Sequence, residues 1–180
     1  MRFRFRYLLA ALPVLVIGVG LVALVAVWLL GVPWRVGGAP AQPISFPHSV
    51  HATGLQLDCT YCHRGASTGP NAWVPSIEVC MGCHGSITGA AGRPGAAEIA
   101  KVRAAWEQQQ TIEWVRVHQV PDHVRFTHEA HIQRGFDCAT CHGNVAQMTV
   151  VSQVRSLRMG DCVECHRQNG GTTDCFKCHY

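Results

Sequence analysis

The hydrophobic pattern divides the chain into an apolar N-terminal segment and a long body of mixed polarity. Between Arg6 and Arg35 there is no charged residue, and these 28 positions are mostly Leu, Val, Ala, Ile and Gly. About 20 apolar residues are enough for a helix to cross the bilayer core, whereas the apolar region of a cleaved signal peptide is usually about 7–15 residues long. The pattern therefore predicts one retained transmembrane helix, an anchor over residues 1–35.

The residues that flank this segment predict its orientation. Arg2, Arg4 and Arg6 precede the apolar run, and positively charged flanks usually stay in the cytoplasm. Residues 36–45 contain several Gly and Pro residues, which is typical of a linker. We therefore expect a single-pass protein of the inner (cytoplasmic) membrane, with its N-terminus in the cytoplasm and residues 46–180 forming a domain on the periplasmic side.

Periodicity in the body is weak. A helical repeat of apolar positions is clear only in residues 96–110, where Ile99, Val102, Ala105 and Trp106 share one face. A body of about 135 residues with so little periodicity is not expected to build a large side-chain core. The predicted fold class is mostly α with sparse regular secondary structure, in which one transmembrane helix precedes the body.

Composition excludes two broad classes. The formal net charge is +4 and only 14% of the residues are charged, while 48% are hydrophobic. Intrinsic disorder is therefore excluded, because disordered chains combine low hydrophobicity with high charge. A nucleic-acid partner is not expected either, because the arginines at the N-terminal tip do not form a basic stripe along the body.

The ten cysteines form five pairs, and each pair has the form Cys-x-x-Cys-His. We call them motif 1 (Cys59, Cys62, His63), motif 2 (Cys80, Cys83, His84), motif 3 (Cys138, Cys141, His142), motif 4 (Cys162, Cys165, His166) and motif 5 (Cys175, Cys178, His179). This is the attachment signature of c-type haem, in which two thiols bond the porphyrin and the His binds the iron. Zinc ribbons need no His after each second Cys, and thioredoxin-like sites need one pair only. The chain is therefore predicted to carry five covalently bound haem c groups.

Six histidines remain outside the motifs, and four of them form an internal repeat. Phe46-Pro-His48-Ser-Val-His51 precedes motif 1, and Phe126-Thr-His128-Glu-Ala-His131 precedes motif 3. The two copies lie 80 residues apart, and the second is one residue shorter before its first cysteine. The body is therefore predicted to contain two two-haem modules and a fifth haem at the C-terminus.

The element F-x-H-x-x-H ahead of C-x-x-C-H resembles the small class III multihaem cytochromes. In those proteins the first His binds the iron of the nearby haem and the second binds the next one. The resemblance implies four axial pairs, which are His48 with His63, His51 with His84, His128 with His142, and His131 with His166.

The chain from about residue 42 to its end more closely resembles the membrane-anchored pentahaem cytochrome subunit of alternative complex III. The resemblance lies in residues 113–131, 156–162 and 173–180, above all in the Trp-Val-Arg-Val-His stretch that ends at His118. It implies partners within one membrane complex, namely an iron–sulfur, molybdopterin-like subunit and polytopic quinol-binding subunits. It also implies electron transfer from menaquinol oxidation to a soluble cytochrome c or blue copper protein.

The fifth iron needs a ligand from outside the repeat. That family has a His at the position of His118, so the resemblance assigns His118 to this iron. Met159 and Met148 remain alternatives, and a thioether ligand would raise the potential of that haem. His123 is interpreted as a bystander.

Six spare histidines are enough to close all five irons, which favours electron transfer rather than catalysis. The chain is therefore not expected to be an enzyme by itself. A small multihaem reductase would need one iron with an open face. A membrane-anchored quinol dehydrogenase cytochrome that feeds a periplasmic reductase remains an alternative, because it is also a haem relay.

Overall fold

The structure, a computed structural model, describes the backbone of residues 2–31 and 37–180, and the side chains of residues 13–28 and 37–180. The chain forms two compact units, Met1–Arg35 and Val36–Tyr180. The predicted boundary between anchor and linker, at residues 35 and 36, lies outside the described residues. So do the side chains of Arg2, Arg4 and Arg6, on which the predicted orientation depends.

The first unit contains one helix, α1 (Arg2–Gly31), with Pro13 inside it. Within the described residues, no helix combines the length and the apolar character that crossing a membrane requires. This finding contradicts the predicted transmembrane anchor, and with it the single-pass inner-membrane location.

The second unit is mostly helical, as predicted, and its helices are short. They are a π-helix (Ser49–Gly54), α2 (Cys59–Cys62), a 3₁₀ turn (Arg64–Ser67), α3 (Ile77–His84), α4 (Pro94–Glu107), α5 (His128–Gln133), α6 (Cys138–His142), a second 3₁₀ turn (Val145–Gln147), α7 (Met159–Asn169) and α8 (Cys175–Cys178). The predicted helix over 96–110 is α4, which starts earlier because Pro94 suits a first helical position.

Side chains alone give this unit almost no core. The buried apolar residues among those described are Ile44, Ala66 and Val102, and Gln153 is the buried polar one. None of the described side chains is less than 2% exposed. A body of this composition needs additional apolar surface to bury, at about 25 cal/mol per Å², beyond what its side chains provide.

The two copies of the repeat differ in helix type, and the difference accounts for the extra residue in the first copy. In the second copy, which contains α5, the N–H of Phe136 donates to the carbonyl of His131 (3.2 Å), five residues earlier in the chain. In the first copy, which contains the π-helix, the N–H of Leu57 donates to the carbonyl of His51 (3.1 Å), six residues earlier. The wider π-turn therefore absorbs the insertion, so that both copies deliver their cysteines in equivalent positions.

The modules hold each other through backbone hydrogen bonds. At the π-helix, the Ser49 N–H donates to the carbonyl of Met148 (3.0 Å). At α5, the His128 N–H donates to the carbonyl of Pro70 (3.2 Å) and the Glu129 N–H to that of Gly69 (3.1 Å). Because the loop after motif 1 supports the helix before motif 3, the geometry of each module depends on the other.

Candidate functional site

Short helical turns present the motif cysteines. Asp58, Asp137 and Asp174 each precede a first cysteine and cap its helix, accepting hydrogen bonds from the N–H groups two residues on. Asp is a favoured residue at this position because its carboxylate satisfies a free N–H group of the first turn. The two cysteines of a motif lie three residues apart and share one helix face. All ten lie within the described residues, and no disulfide bond joins any two of them.

Three motif histidines are oriented by backbone carbonyls. The Nδ1–H of His63 donates to Trp73 O (2.7 Å), that of His84 to Ile87 O (2.9 Å) and that of His166 to Thr172 O (2.5 Å). A carbonyl can only accept, so Nδ1 carries the proton and the lone pair lies on Nε2. This is the arrangement by which a metal-binding His is fixed in one tautomer.

Three of the four histidines of the repeat are fixed in the same way. Nδ1 of His51 donates to Pro47 O (3.2 Å), Nδ1 of His131 to Thr127 O (2.8 Å) and Nδ1 of His128 to Pro70 O (2.8 Å). The phenylalanine of each copy packs on both of its histidines. Phe46 stacks on His51 at a centroid separation of 4.3 Å, and Phe126 stacks on His131 at 4.7 Å.

Ring separations show which histidines face each other. A metal–imidazole bond is about 2.0–2.1 Å long, so two imidazoles on opposite sides of one iron have their centroids about 6 Å apart. The separations are 6.2 Å for His51 and His84, 6.3 Å for His128 and His142, and 6.0 Å for His131 and His166. The structure thus brings together three of the four predicted pairs at a distance that suits one iron.

His48 of the fourth predicted pair has a partly buried ring, as does His142. Burial, with smaller effects from His63 and then His51, lowers the pKa of His48 to about 4. Burial, followed by His118, His128 and His63, likewise lowers the pKa of His142 to about 4. His48 therefore lies close to His63, and both buried rings, those of His48 and His142, are neutral at pH 7, as metal ligands must be.

Neighbouring thiols show how the motifs adjoin in space. Burial raises the pKa of the Cys80 thiol, and the Cys62 thiol raises it further, so motif 2 adjoins motif 1. Burial also raises the pKa of the Cys138 thiol, and Cys59 adds to this by its charge and by a hydrogen bond. Motif 1 therefore adjoins motif 3.

The second module continues this succession. Burial raises the pKa of Cys141, with an opposing effect of Arg155 and a further increase from Cys165, so motif 3 adjoins motif 4. Burial and then Asp161 raise the pKa of Cys162, and the Cys178 thiol adds to the increase, so motif 4 adjoins motif 5. The attachment sites therefore follow one another in the order 2, 1, 3, 4, 5.

The two remaining histidines lie at different motifs. His118 packs edge-on against His142, with centroids 4.4 Å apart and rings at 78°. His123 faces His179, with centroids 5.6 Å apart and rings at 20°. The structure therefore does not bring His118, the residue expected at the fifth iron, to motif 5. Sequence reasoning set His123 aside because the family resemblance assigned the fifth iron to His118.

These donors fit c-type haem. Each attachment site combines two thiols with a motif histidine, and the facing imidazoles are spaced for an iron between them. Two buried imidazole nitrogens, Nδ1 of His48 and Nε2 of His118, have no hydrogen-bond partner among the described residues. Haem bound here would supply reversible one-electron chemistry between ferric and ferrous iron.

Comparison with known proteins agrees with this interpretation. Residues 124–180, which hold motifs 3, 4 and 5, match the family described as cytochrome c7 and related cytochrome c. The chain is also 27% identical over 188 residues to the multihaem cytochrome c subunit of menaquinone reductase from Nitratidesulfovibrio vulgaris, covering 89% of this chain and 87% of that protein. The chain is thus similar to a multihaem cytochrome c, and its residues 124–180 are similar to the c7 family. These findings do not support the more specific resemblance to alternative complex III.

Proposed function

We propose that this chain is the electron-transfer subunit of a menaquinone-linked oxidoreductase complex, with five covalently bound haem c groups. The observation that carries the proposal is the set of facing histidines about 6 Å apart beside paired thiols. The name of the relative supports the quinone as the redox partner. The resemblance to alternative complex III shares menaquinone but implies electron flow away from the quinol. The direction of flow therefore distinguishes the two complexes.

Within the complex, this chain would hold its cofactors in one succession. In the order 2, 1, 3, 4, 5, motifs 2 and 5 lie at the two ends and motif 3 lies in the middle. In a linear order each end site has only one neighbouring site, so the end sites are where electrons would be exchanged with other proteins. Other subunits would meet the chain near Cys80 and Cys83 at one end, and near Cys175 and Cys178 at the other.

The proposed ligand set is His63, His84, His142, His166 and His179 from the motifs, with His48, His51, His128 and His131 opposite the first four. A small multihaem reductase would need one iron with an open face, aimed at a substrate. The facing imidazoles at three motifs leave no room there for an oxyanion such as nitrite. This favours a relay over a reductase.

The quinone partner is tested by purifying the tagged full-length chain from its native cells, reducing its haems and adding menadione, a soluble menaquinone analogue. We expect co-purifying subunits and oxidation of the haems by menadione, seen as loss of the α band of ferrous haem. The chain purified alone from a heterologous host is the control and should react far more slowly. Native chain that purifies without partners and reacts no faster than the control would contradict the proposed complex.

Distal ligands are tested with matched variants from the two copies of the repeat. The wild-type protein should contain about five haems by the pyridine haemochrome assay and bind little carbon monoxide, because two imidazoles close each iron. His51→Ala and His131→Ala should each keep five haems, because the thioethers do not depend on the distal ligand, and each should open one iron. The measurement is carbon monoxide bound per chain, expected to rise by about one in each variant.

The control for these variants is Gln133→Ala on the same helix as His131. The Gln133 side chain is exposed and bonds only Glu129 (2.9 Å). This variant should bind no more carbon monoxide than the wild type. Carbon monoxide binding by the wild-type protein at about one equivalent would instead favour the reductase.

A further inference from the structure

We infer that His123 is the axial ligand opposite His179 in the C-terminal haem site, and that His118 has no place in the coordination of that iron. This inference rests on the proposed function, because it presupposes a haem on motif 5. It reverses the assignment that the family resemblance implied, and it makes a ligand of the residue that was interpreted as a bystander. Three sets of contacts carry it.

Backbone pairing places the His123 segment directly against motif 5. Val124 and His179 form an antiparallel bridge. The Arg125 N–H donates to the carbonyl of Cys178 (2.8 Å), and the Tyr180 N–H donates to the carbonyl of His123 (3.3 Å). Two hydrogen bonds in opposite directions fix both the register and the distance of the two segments.

Arg125 strengthens this pairing through its side chain. Its guanidinium lies over the Tyr180 ring, 4.3 Å from the centroid, and Nη1 donates to the carbonyl of Phe176 (3.4 Å). A cation over an aromatic face makes a favourable electrostatic contact with the ring. The segment that carries His123 is therefore held to both ends of the short helix α8.

Ring geometry matches that of the other facing pairs. The His123 and His179 centroids are 5.6 Å apart with rings at 20°, against 6.0–6.3 Å for the three pairs in the two modules. The pair is thus within about 0.5 Å of the separation that two imidazoles on one iron require. A small outward shift of either ring completes it.

His118 is committed elsewhere. Its centroid is 4.4 Å from that of His142, which is too short for an iron between the rings. The opposite partner of His142 is His128, which lies parallel to it within 8°. Nε2 of His118 is buried without a hydrogen-bond partner among the described residues, and the ring beside it is His142, not His179. His118 therefore packs beside an existing axial pair.

The two methionines also lie at other motifs. Met159 begins the helix that carries motif 4, and its side chain is 68% exposed. Met148 follows the second 3₁₀ turn, and its carbonyl accepts a hydrogen bond from Ser49 at the π-helix. The contacts described for these residues do not include motif 5, whereas those of residues 123–125 do.

The test compares His123→Ala with His118→Ala in the full-length, haem-loaded protein, and repeats His123→Ala in a chain that lacks motif 5 (Cys175→Ala with Cys178→Ala). His123→Ala should keep five haems, convert one of them to the high-spin form and bind about one carbon monoxide per chain. His118→Ala should keep five low-spin haems. In the chain without motif 5, His123→Ala should open no iron. His123→Met should restore a low-spin haem with a higher reduction potential than in the wild type.

Other outcomes would overturn the inference. They are a high-spin haem in His118→Ala but not in His123→Ala, or an iron that His123→Ala still opens after the thiols of motif 5 have been removed. If the wild-type protein had no haem on motif 5, both backgrounds would show the same haem count. That result would refute both the proposed haem number and the inference, whereas a high-spin haem in His118→Ala alone would refute the inference and leave the haem number intact.

Discussion

Replacing Cys138 and Cys141 together with alanine should damage the protein more than removing any other motif. Motif 3 is the centre of the succession, since Cys138 adjoins Cys59 and Cys141 adjoins Cys165. Its histidine is buried among rings from several segments, which holds its pKa at about 4. With few buried side chains elsewhere, loss of this haem removes much of the apolar surface that holds the two modules together.

The expected result is a yield of haem-loaded protein at least about tenfold lower, because each 1.4 kcal/mol of lost stability is a factor of ten. Protein that survives should contain at most four haems. Electrons donated at one end of the succession should then reduce the haems of that end rapidly and the haems beyond the missing site slowly. The measurements are the pyridine haemochrome assay, the purified yield and stopped-flow absorbance at the α band.

The matched control removes motif 5 by Cys175→Ala with Cys178→Ala. This motif lies at the end of the succession, where Phe176 is 83% and Tyr180 82% exposed. The control should yield a folded protein with about four haems, since a terminal unit supports only one neighbour. Equal damage from both double variants, or an undamaged yield after loss of motif 3, would contradict the linear order of the sites.

Local chemistry explains which features could be predicted from the sequence. Each motif is a continuous stretch of five residues, so it can be recognised in the sequence. The Asp residues before three of the motifs cap the following turn by a hydrogen bond from the N–H two residues later. The repeat was visible because Phe46 and Phe126 hold their histidines at the same spacing. The predicted lack of a large side-chain core followed from the length of the body and its haem content, and few of the described side chains are buried.

Long-range pairing explains what could not be predicted. The choice between His118 and His123 depends on a bridge between Val124 and His179, which lie 55 residues apart. The π-helix could not be predicted, because it depends on long-range contacts. One of them is the hydrogen bond from the Thr53 hydroxyl to the carbonyl of Ala146 (2.6 Å). The predicted membrane helix rested on hydropathy alone, and the described residues contradict it.

A second large effect is expected at Gly65, which is buried in the 3₁₀ turn after His63. A Cβ at this position would overlap the carbonyl oxygen of Asn71 and the indole of Trp73. Trp73 has φ +63° and its carbonyl orients His63, so it cannot move without disturbing that ligand. Gly65→Ala should therefore change the first haem site through its supporting contacts alone.

The disturbance should also reach the second module. The carbonyl of Gly65 accepts from the Gly69 N–H (3.0 Å), and the carbonyl of the next residue, Pro70, accepts from both the backbone and the ring of His128. Overpacking costs about 1–3 kcal/mol, and a backbone oxygen in the way favours the upper end. At about 2–4 °C per kcal/mol, the melting temperature should fall by roughly 6–12 °C.

The measurements for Gly65→Ala are thermal unfolding followed by circular dichroism and carbon monoxide binding at about 25 °C. Two irons should become partly accessible, those of motif 1 and motif 3, because His63 and His128 both lose their fixed carbonyl partners.

Gly95→Ala is the control, since it lies in α4 with no atom within 4 Å of the added methyl group. It should stabilise the protein by up to about 1 kcal/mol, because Ala favours a helix over Gly. A Gly65→Ala protein with the melting temperature of the wild type and no added carbon monoxide binding would contradict this prediction. It would show that the loop after His63 accommodates the methyl group, and that motifs 1 and 3 are positioned independently.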